Sequence, residues 1–224
     1  MDYGKDFYAA VTWNDVPDGR RIAIAWMSNW NYAGAIPTSP WRSAMSVPRE
    51  LGLRTIGGHP QLVQRPVREL RSLRGGRSYQ RRHRTIPQGS TTLPARGKTL
   101  EIKAELRLDA AKRAGLKVRT GSGEETVIGY DAETEELYID RTRSGDVGFS
   151  PSFPGVHRAP LPLDRHGDIK LRILVDWSSV EVFADRGQVT ITDQVFPRPS
   201  SEQVQLFADG GSAEVESLEI RPLR

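Results

Sequence analysis

Short apolar and β-branched runs, separated by turn residues, dominate the first quarter of the chain. Residues 6–13 (DFYAAVTW) and 21–27 (RIAIAWM) are two such runs, and the segment 14–19 between them has the proline and Asp-Gly chemistry of a tight turn. Two further runs follow at 41–48 and 49–55. This pattern predicts four short strands, which match one four-stranded blade of a β-propeller.

One later segment has helical periodicity instead. In residues 61–74 (QLVQRPVRELRSLR), apolar side chains recur at spacings of three and four residues, and a Gly-Gly pair follows. We therefore predict a linker helix over residues 61–76. It would separate a blade at residues 1–60 from a second domain at residues 77–224.

The second domain has a repeated strand-and-turn pattern. Its candidate strands are residues 99–108, 115–120, 126–131, 136–141, 169–177, 180–185, 188–196, 204–209 and 213–220. Turn sequences such as GSGEE and ADGG separate them. Many short strands at this spacing predict a β-sandwich, so the expected fold class is all-β.

Several segments resemble invertases, inulinases and levanases, which are glycoside hydrolases with a five-bladed propeller and a C-terminal sandwich. Residues 2–9 (DYGKDFYA) and 24–51 (IAWMSNWNYAGAIPTSPWRSAMSVPREL) resemble the last propeller blade. Residues 64–70 (QRPVREL) resemble the connection, and residues 174–197 (LVDWSSVEVFADRGQVTITDQVFP) resemble the sandwich hallmark. The resemblance implies a last blade joined by a short helical linker to the sandwich. It also implies secretion and retaining hydrolysis of β-D-fructofuranosyl bonds in sucrose, inulin or levan.

The same resemblance identifies what the sequence lacks. The family's W-M-N-D-P-N-G, R-D-P and E-C motifs, which carry its catalytic carboxylates, do not occur here. We therefore assign no catalytic residue and expect the chain to follow four missing blades. Asp2 and Asp6, four residues apart on a presumed strand, would lie roughly 13 Å apart, whereas retaining chemistry needs about 5–5.5 Å. Asp176 and Glu181 flank the turn at residues 177–179 and could approach each other as a catalytic pair, but turn formation by the aspartate and the serines is the favoured interpretation.

Trp41 is the main candidate for sugar binding. The resemblance places it where the family lines its fructose pocket with a tryptophan, and a flat aromatic face suits the C–H side of a sugar ring. Packing between blades is an equally good interpretation of Trp41, and Trp26 in its apolar run is better explained as core. The weaker candidates are Tyr8, Asp6 and Trp26 for the pocket, and Trp30 and Tyr32 for its outer rim.

Composition excludes several kinds of site. The chain has no cysteine, so disulfides, thiol nucleophiles and cysteine-ligated metals are excluded. Its four histidines are scattered, and we predict neither a metal nor an organic cofactor. No apolar run reaches eighteen residues, so no membrane association is expected. The first ten residues lack the basic and apolar regions of a signal peptide.

Positive charge is concentrated between residues 65 and 84. That stretch holds eight arginines and one acid, for a local charge of +7, whereas the whole chain carries +4. No aromatic residue lies among these arginines before Tyr79, and no nucleic-acid-binding motif accompanies them. The favoured interpretation of these arginines is therefore a solvated face or salt bridges to neighbouring domains. No nucleic-acid partner is predicted.

A single blade needs other surfaces to cover its two faces, because a propeller blade normally packs between two neighbouring blades. We expect its faces to be covered by missing propeller blades, by a second copy of the chain or by the sandwich. The apolar side chains expected on the two faces are Phe7, Trp13, Ile22, Ile24, Trp26 and Met45. The expected ligand is fructan or sucrose, and the rival function is a non-catalytic module that binds fructan or stabilises a neighbouring domain.

Overall fold

The computed structural model describes residues 1–163 and 167–224, so His166 lies outside the described residues. Three antiparallel sheets make up the described chain, one of five strands and two of six. The all-β prediction is confirmed. No helix in the described ranges is long and apolar enough to cross a membrane.

The five-stranded sheet comes first in the chain. Its strands are β1 (Tyr8–Thr12), β2 (Arg21–Met27), β3 (Ala44–Met45), β4 (Arg49–Ile56) and β5 (His59–Pro66). The order is β1-β2-β4-β5, and β3 pairs with β2. The predicted blade strands are therefore present, and the sheet continues through β5 into the segment predicted as helix.

The predicted linker helix over residues 61–76 is wrong for its first half. Residues up to Pro66 pair with β4 as the second strand of a hairpin, and only Arg68–Leu73 is helical, as a short 3-10 helix. Pro66 explains the difference, because proline has no N–H to donate inside a helix and disfavours helical geometry in the preceding residue. The three-and-four spacing of Leu62, Val63 and Val67 thus reflects a strand that leads into a single helical segment.

The sandwich consists of the two six-stranded sheets. Its strands are β6 (Tyr79–Ile86), β7 (Gly89–Arg96), β8 (Leu100–Arg107), β9 (Arg113–Gly121), β10 (Glu124–Asp131), β11 (Glu136–Arg143), β12 (Val156–Pro160), β13 (Asp168–Asp176), β14 (Ser179–Ala184), β15 (Val189–Gln194), β16 (Gln203–Asp209) and β17 (Ala213–Pro222). The orders are β12-β11-β10-β9-β16-β7 and β15-β14-β13-β8-β17-β6. The pattern did not predict β6, β7 and β12, which are edge strands and largely exposed, so they need no apolar alternation.

One apolar core fills the space between the two sandwich sheets. In β8, Leu100, Ile102 and Leu106 are buried and belong to the same cluster as Leu116 of β9 and Ile128 of β10. Alternating residues of each strand supply this cluster, as expected for sheets that bury one face. The sandwich therefore has its own core.

One face of the five-stranded sheet is covered within the chain. In β2, Ala23, Ala25 and Met27 are buried, and β15 of the sandwich contacts this strand. Coverage of this face by the sandwich is one of the three alternatives expected from the sequence. The opposite face, which includes Ile22 and Trp26, is only half-buried.

Of the six apolar side chains expected at the faces of the blade, two are about half exposed and one lies at the contact with the sandwich. Trp13 and Met45 are about half exposed. Phe7 is partly buried at the domain junction, by which we mean the contact between the five-stranded sheet with its loops and the sandwich. Its ring lies 4.0 Å from the guanidinium carbon of Arg49.

Candidate functional site

Three aromatic side chains form a patch on the open face of the five-stranded sheet. Tyr8 of β1 lies opposite Trp26 of β2, with ring centroids 6.0 Å apart, and Trp30 of the following loop lies 5.0 Å from Trp26. The Tyr8 and Trp30 rings meet edge to face at 6.5 Å. Such contacts hold the rings in place while leaving faces open to solvent, and Trp30 is 73% exposed. We call Tyr8, Trp26 and Trp30 the aromatic patch.

Trp41 lies in the loop before β3 and is separate from the aromatic patch. Its side chain is 65% exposed, and it contacts no aromatic ring of the described chain. Its backbone is held by the Thr38 hydroxyl, which donates to the Trp41 carbonyl at 2.7 Å. Within the described residues, Trp41 is therefore a surface side chain on an anchored loop and not part of a core.

Asp6, a candidate for the sugar pocket, is fully buried at the domain junction. One carboxylate oxygen accepts a hydrogen bond from the Tyr32 hydroxyl at 2.5 Å, and the other accepts from Arg141 at 2.5 Å and from the Gln194 amide at 2.8 Å. Burial raises the pKa of Asp6 despite the charge of Arg141. Both oxygens have protein partners, so we assign Asp6 to the junction.

Tyr32 is likewise not on an outer rim. Its ring is buried in a second apolar cluster with Ile36 and Phe153, and burial raises the pKa of its hydroxyl. The Phe153 ring also lies 4.0 Å from the guanidinium carbon of Arg141. The loop after β2 therefore serves two purposes, since Trp30 faces solvent whereas Tyr32 binds the sandwich.

A second buried arginine, Arg49 of β4, joins the two domains at another point. Its guanidinium pairs with Asp2 at 2.7 Å and with Glu181 of β14 at 2.7 Å. It also lies between the rings of Phe7 and Phe183, at 4.0 and 4.9 Å from their centroids. A planar guanidinium suits this position because it forms ion pairs at its edge and stacks with its face.

Glu181 and Asp176 line the same small pocket but have different partners and different exposure. Glu181 is buried, pairs with Arg49 and accepts a hydrogen bond from the Val47 amide at 2.8 Å. Burial raises its pKa. Asp176 is exposed and accepts from the Trp177 amide at 2.7 Å, as a turn residue does.

The N-terminal segment is not the start of a blade strand. It lies beside β15, with the Tyr3 amide donating to the Thr190 carbonyl and the Asp6 amide donating to the Thr192 carbonyl. Gly4 is required where the segment comes closest to the backbone of β15, since a Cβ on Gly4 would lie 2.1 Å from the Thr192 carbonyl oxygen. The segment thus covers the edge of β15, and Asp2 and Asp6 serve different arginines.

One group of possible metal ligands occurs among the described residues. His83, Glu214 and Glu216 place ligand atoms within 4.8 Å of one another. Arg107 already pairs with both glutamates, at 2.5 Å for Glu214, and so neutralises the donors that a cation would need. This set does not fit a cation site.

Two family models match the chain. The model described as glycosyl hydrolases family 32 N-terminal domain covers residues 1–66, and the model described as glycosyl hydrolases family 32 C terminal covers residues 69–222. The two matches meet between β5 and the 3-10 helix.

Relatives agree with this assignment. A levanase of Bacillus subtilis (strain 168) is 45% identical over 230 residues, which cover 100% of this chain and 34% of the levanase. An extracellular exo-inulinase of Aspergillus awamori is 40% identical over 220 residues, which cover 96% of this chain and 41% of the inulinase. The chain thus spans well under half the length of these relatives.

A solved structure gives the same result. The crystal structure of exo-inulinase from Aspergillus awamori superimposes with a TM-score of 0.94 at 38% identity, over 100% of this chain and 44% of that one. The match extends across both the five-stranded sheet and the sandwich. From the two family models and these relatives, the chain belongs to glycosyl hydrolase family 32.

Proposed function

We propose that this chain is the last propeller blade and C-terminal sandwich of a retaining glycoside hydrolase. The complete enzyme would cleave β-D-fructofuranosyl bonds in sucrose, inulin or levan. In this proposal, residues 1–224 supply one wall of the sugar pocket, and further propeller blades supply the catalytic carboxylates.

The observation that carries the proposal is the half-open face of the five-stranded sheet. Its aromatic patch is open on a side that the sandwich leaves uncovered, and Trp41 is exposed on its own anchored loop. Open aromatic faces with polar edges suit the alternating C–H and O–H surfaces of sugars. The names of relatives as levanase and exo-inulinase support fructan as the sugar.

The buried carboxylates argue that the chemistry comes from elsewhere. Asp2 and Glu181 are engaged by Arg49, and Asp6 is engaged by Arg141. A nucleophile and an acid/base must both face the scissile bond at about 5–5.5 Å from each other. Carboxylates that hold the domain junction together do not meet this requirement, and the family's catalytic motifs are absent from the sequence.

The first prediction is that purified residues 1–224 release no fructose from sucrose, inulin or levan above a buffer blank. Without a nucleophile and an acid/base, binding and positioning have no reacting group to act on. Turnover that persists through purification and disappears when an acid of this chain is mutated would overturn the proposal. The proposal also predicts that the DNA upstream of Met1 encodes, in frame, a segment similar to W-M-N-D-P-N-G.

The second prediction concerns Trp41→Ala in the complete enzyme. We expect kcat/KM for sucrose to fall at least tenfold. This corresponds to the loss of roughly 1.4 kcal/mol of transition-state stabilisation from one sugar-stacking contact. Because Trp41 is exposed, the free energy of unfolding should change by no more than about 0.5 kcal/mol. Trp177→Ala is the matched control, since Trp177 is also exposed but lies on the sandwich. Equal effects of the two variants on kcat/KM would exclude a sugar-binding role for Trp41.

The alternative function is a non-catalytic module that binds fructan or stabilises a neighbouring domain. The exposed aromatic side chains favour binding, and the ion pairs of Arg49 and Arg141 favour stabilisation. Retarded migration of residues 1–224 through a levan-containing gel, without fructose release by any longer form of the protein, would support this alternative. We also propose secretion, because four fungal relatives are named extracellular.

A further inference from the structure

Two adjoining grooves flank β5 at the domain junction. One, of about 470 Å³, lies between β5 and the outer face of β8 and β13, and the other, of about 390 Å³, lies between β5, β4 and the 3-10 helix. They share Arg65, Pro66 and Arg172, so they form one extended depression. We call it the β5 cleft.

The charge of the β5 cleft is strongly one-sided. Eight cationic side chains line it, whereas only two carboxylates do, those of Glu50 and Glu105. Both carboxylates already have cationic partners, Arg20 at 3.0 Å for Glu50 and Lys170 at 3.0 Å for Glu105. Carboxylates inside and outside the cleft pair with four of the eight cations, namely Arg68, Lys103, Lys170 and Arg172, so the other four remain uncompensated.

Four of the lining arginines have no carboxylate partner among the described residues. They are Arg54, Arg65, Arg71 and Arg186. All four are exposed, and the Arg65 side chain donates instead to the Arg186 carbonyl at 3.0 Å. Burial lowers the pKa of Arg172 against the opposing effect of Glu101, and Arg74 and Arg71 lower it slightly further. The cleft therefore presents several guanidinium groups that are free to bind an anion.

We propose that the β5 cleft binds an acidic polysaccharide. Guanidinium groups form paired hydrogen bonds with carboxylate and sulfate oxygens, and a cleft of one charge sign concentrates ligands of the other. The free arginines are spread over two grooves, which fits an extended ligand with repeated negative charges better than a small anion. Such binding would hold a fructan-degrading enzyme within an acidic polysaccharide matrix, at a site separate from the aromatic patch.

Two other extended anions fit the cleft less well. Single-stranded nucleic acid binds largely by stacking its bases on exposed aromatic rings, and the one aromatic lining residue, Phe183, is buried. An acidic peptide would gain affinity by adding a strand to an open sheet edge. The turn at Gly187 covers the edge of β5, since a Cβ on Gly187 would lie 1.8 Å from the Gln64 carbonyl oxygen.

The test measures binding of fluorescein-labelled polygalacturonate to residues 1–224 by fluorescence anisotropy at about 0.15 M salt, where screening extends over ~8 Å. The cleft variant combines Arg54→Gln, Arg71→Gln and Arg186→Gln. The control variant combines Arg81→Gln, Arg82→Gln and Arg84→Gln on the exposed edge strand β6, which gives the same net charge. We expect the cleft variant to bind about tenfold more weakly, from three exposed ion-pair contacts, and the control to stay within about twofold of the parent.

Three results would overturn the proposal. They are no binding of polygalacturonate by the parent protein, equal weakening in both triple variants, and tighter binding of single-stranded DNA than of polygalacturonate. Thermal melting shows whether each variant is folded. If the cleft variant is not, the single variant Arg71→Glu, on the exposed side of the 3-10 helix, must weaken binding for the proposal to stand. Because the readout is binding, the result is independent of fructan hydrolysis.

Discussion

Replacement of Arg141 by methionine should destabilise the protein by about 3–5 kcal/mol, the range found when one partner of a buried ion pair is removed. Arg141 is fully buried and holds Asp6 at 2.5 Å, with Asp193 at 3.7 Å. Methionine keeps much of the volume but no charge, so the Asp6 carboxylate would remain buried without its cation. Its removal also frees the Phe153 and Gln194 carbonyls, which accept from the same guanidinium.

Urea unfolding measures this loss, since the midpoint falls in proportion to the free energy of unfolding. Arg143→Met is the matched control, because Arg143 lies on the same strand, pairs with Glu125 and has a side chain that is 64% exposed. An exposed pair of this kind contributes about 0.2–1 kcal/mol. Equal shifts for Arg141→Met and Arg143→Met would mean that the buried network does not hold the junction together.

Gly187→Ala should destabilise the protein by about 2–5 kcal/mol, the sum of two costs. Gly187 has φ +89°, which an L-residue adopts at a cost of roughly 1–2 kcal/mol. Its Cβ would also lie 1.8 Å from the Gln64 carbonyl oxygen, and overpacking typically costs about 1–3 kcal/mol. The contact involves backbone on both sides, so β5 and the turn after β14 must separate to accommodate a methyl group.

Gly58→Ala isolates the first of these costs. Gly58 has a similar φ of +81°, but nothing lies within 4 Å of the position its Cβ would occupy. We expect this variant to lose about 1–2 kcal/mol. The difference between the two variants in the free energy of unfolding therefore reports the packing of β5 on the sandwich. A Gly187→Ala variant as stable as Gly58→Ala would show that this packing is loose.

The sequence predicted most strands because local alternation is a property of the chain itself. Segments such as 99–108 and 213–220 alternate apolar and polar residues, and the strands Leu100–Arg107 and Ala213–Pro222 lie within a few residues of those bounds. The edge strands β6, β7 and β12 lack this signal because they are largely exposed. Few of their side chains enter the apolar core, so their sequences need not alternate apolar and polar residues. The pairing partners of β6 and β7 are β17 and β16, which lie more than a hundred residues away in the sequence.

The segment around Pro66 shows where local patterns are ambiguous. Three-and-four spacing is compatible with both a helix and a short strand followed by a turn, and pairing of His59–Pro66 with Arg49–Ile56 decided the outcome. Pro66, which lies within the pattern, was the available local signal against a continuous helix.

The roles of the charged residues depended entirely on tertiary structure. Asp6 was a candidate for the sugar pocket and Tyr32 for its outer rim, whereas both are buried at the domain junction. Their partner Arg141 is 135 residues from Asp6, and no local pattern connects the two. The sequence alone determined the fold class, the family resemblance and the aromatic composition of the first sheet. Only the tertiary structure decided which carboxylates are buried at the domain junction, because the cost of burying a charge depends on which distant residue neutralises it.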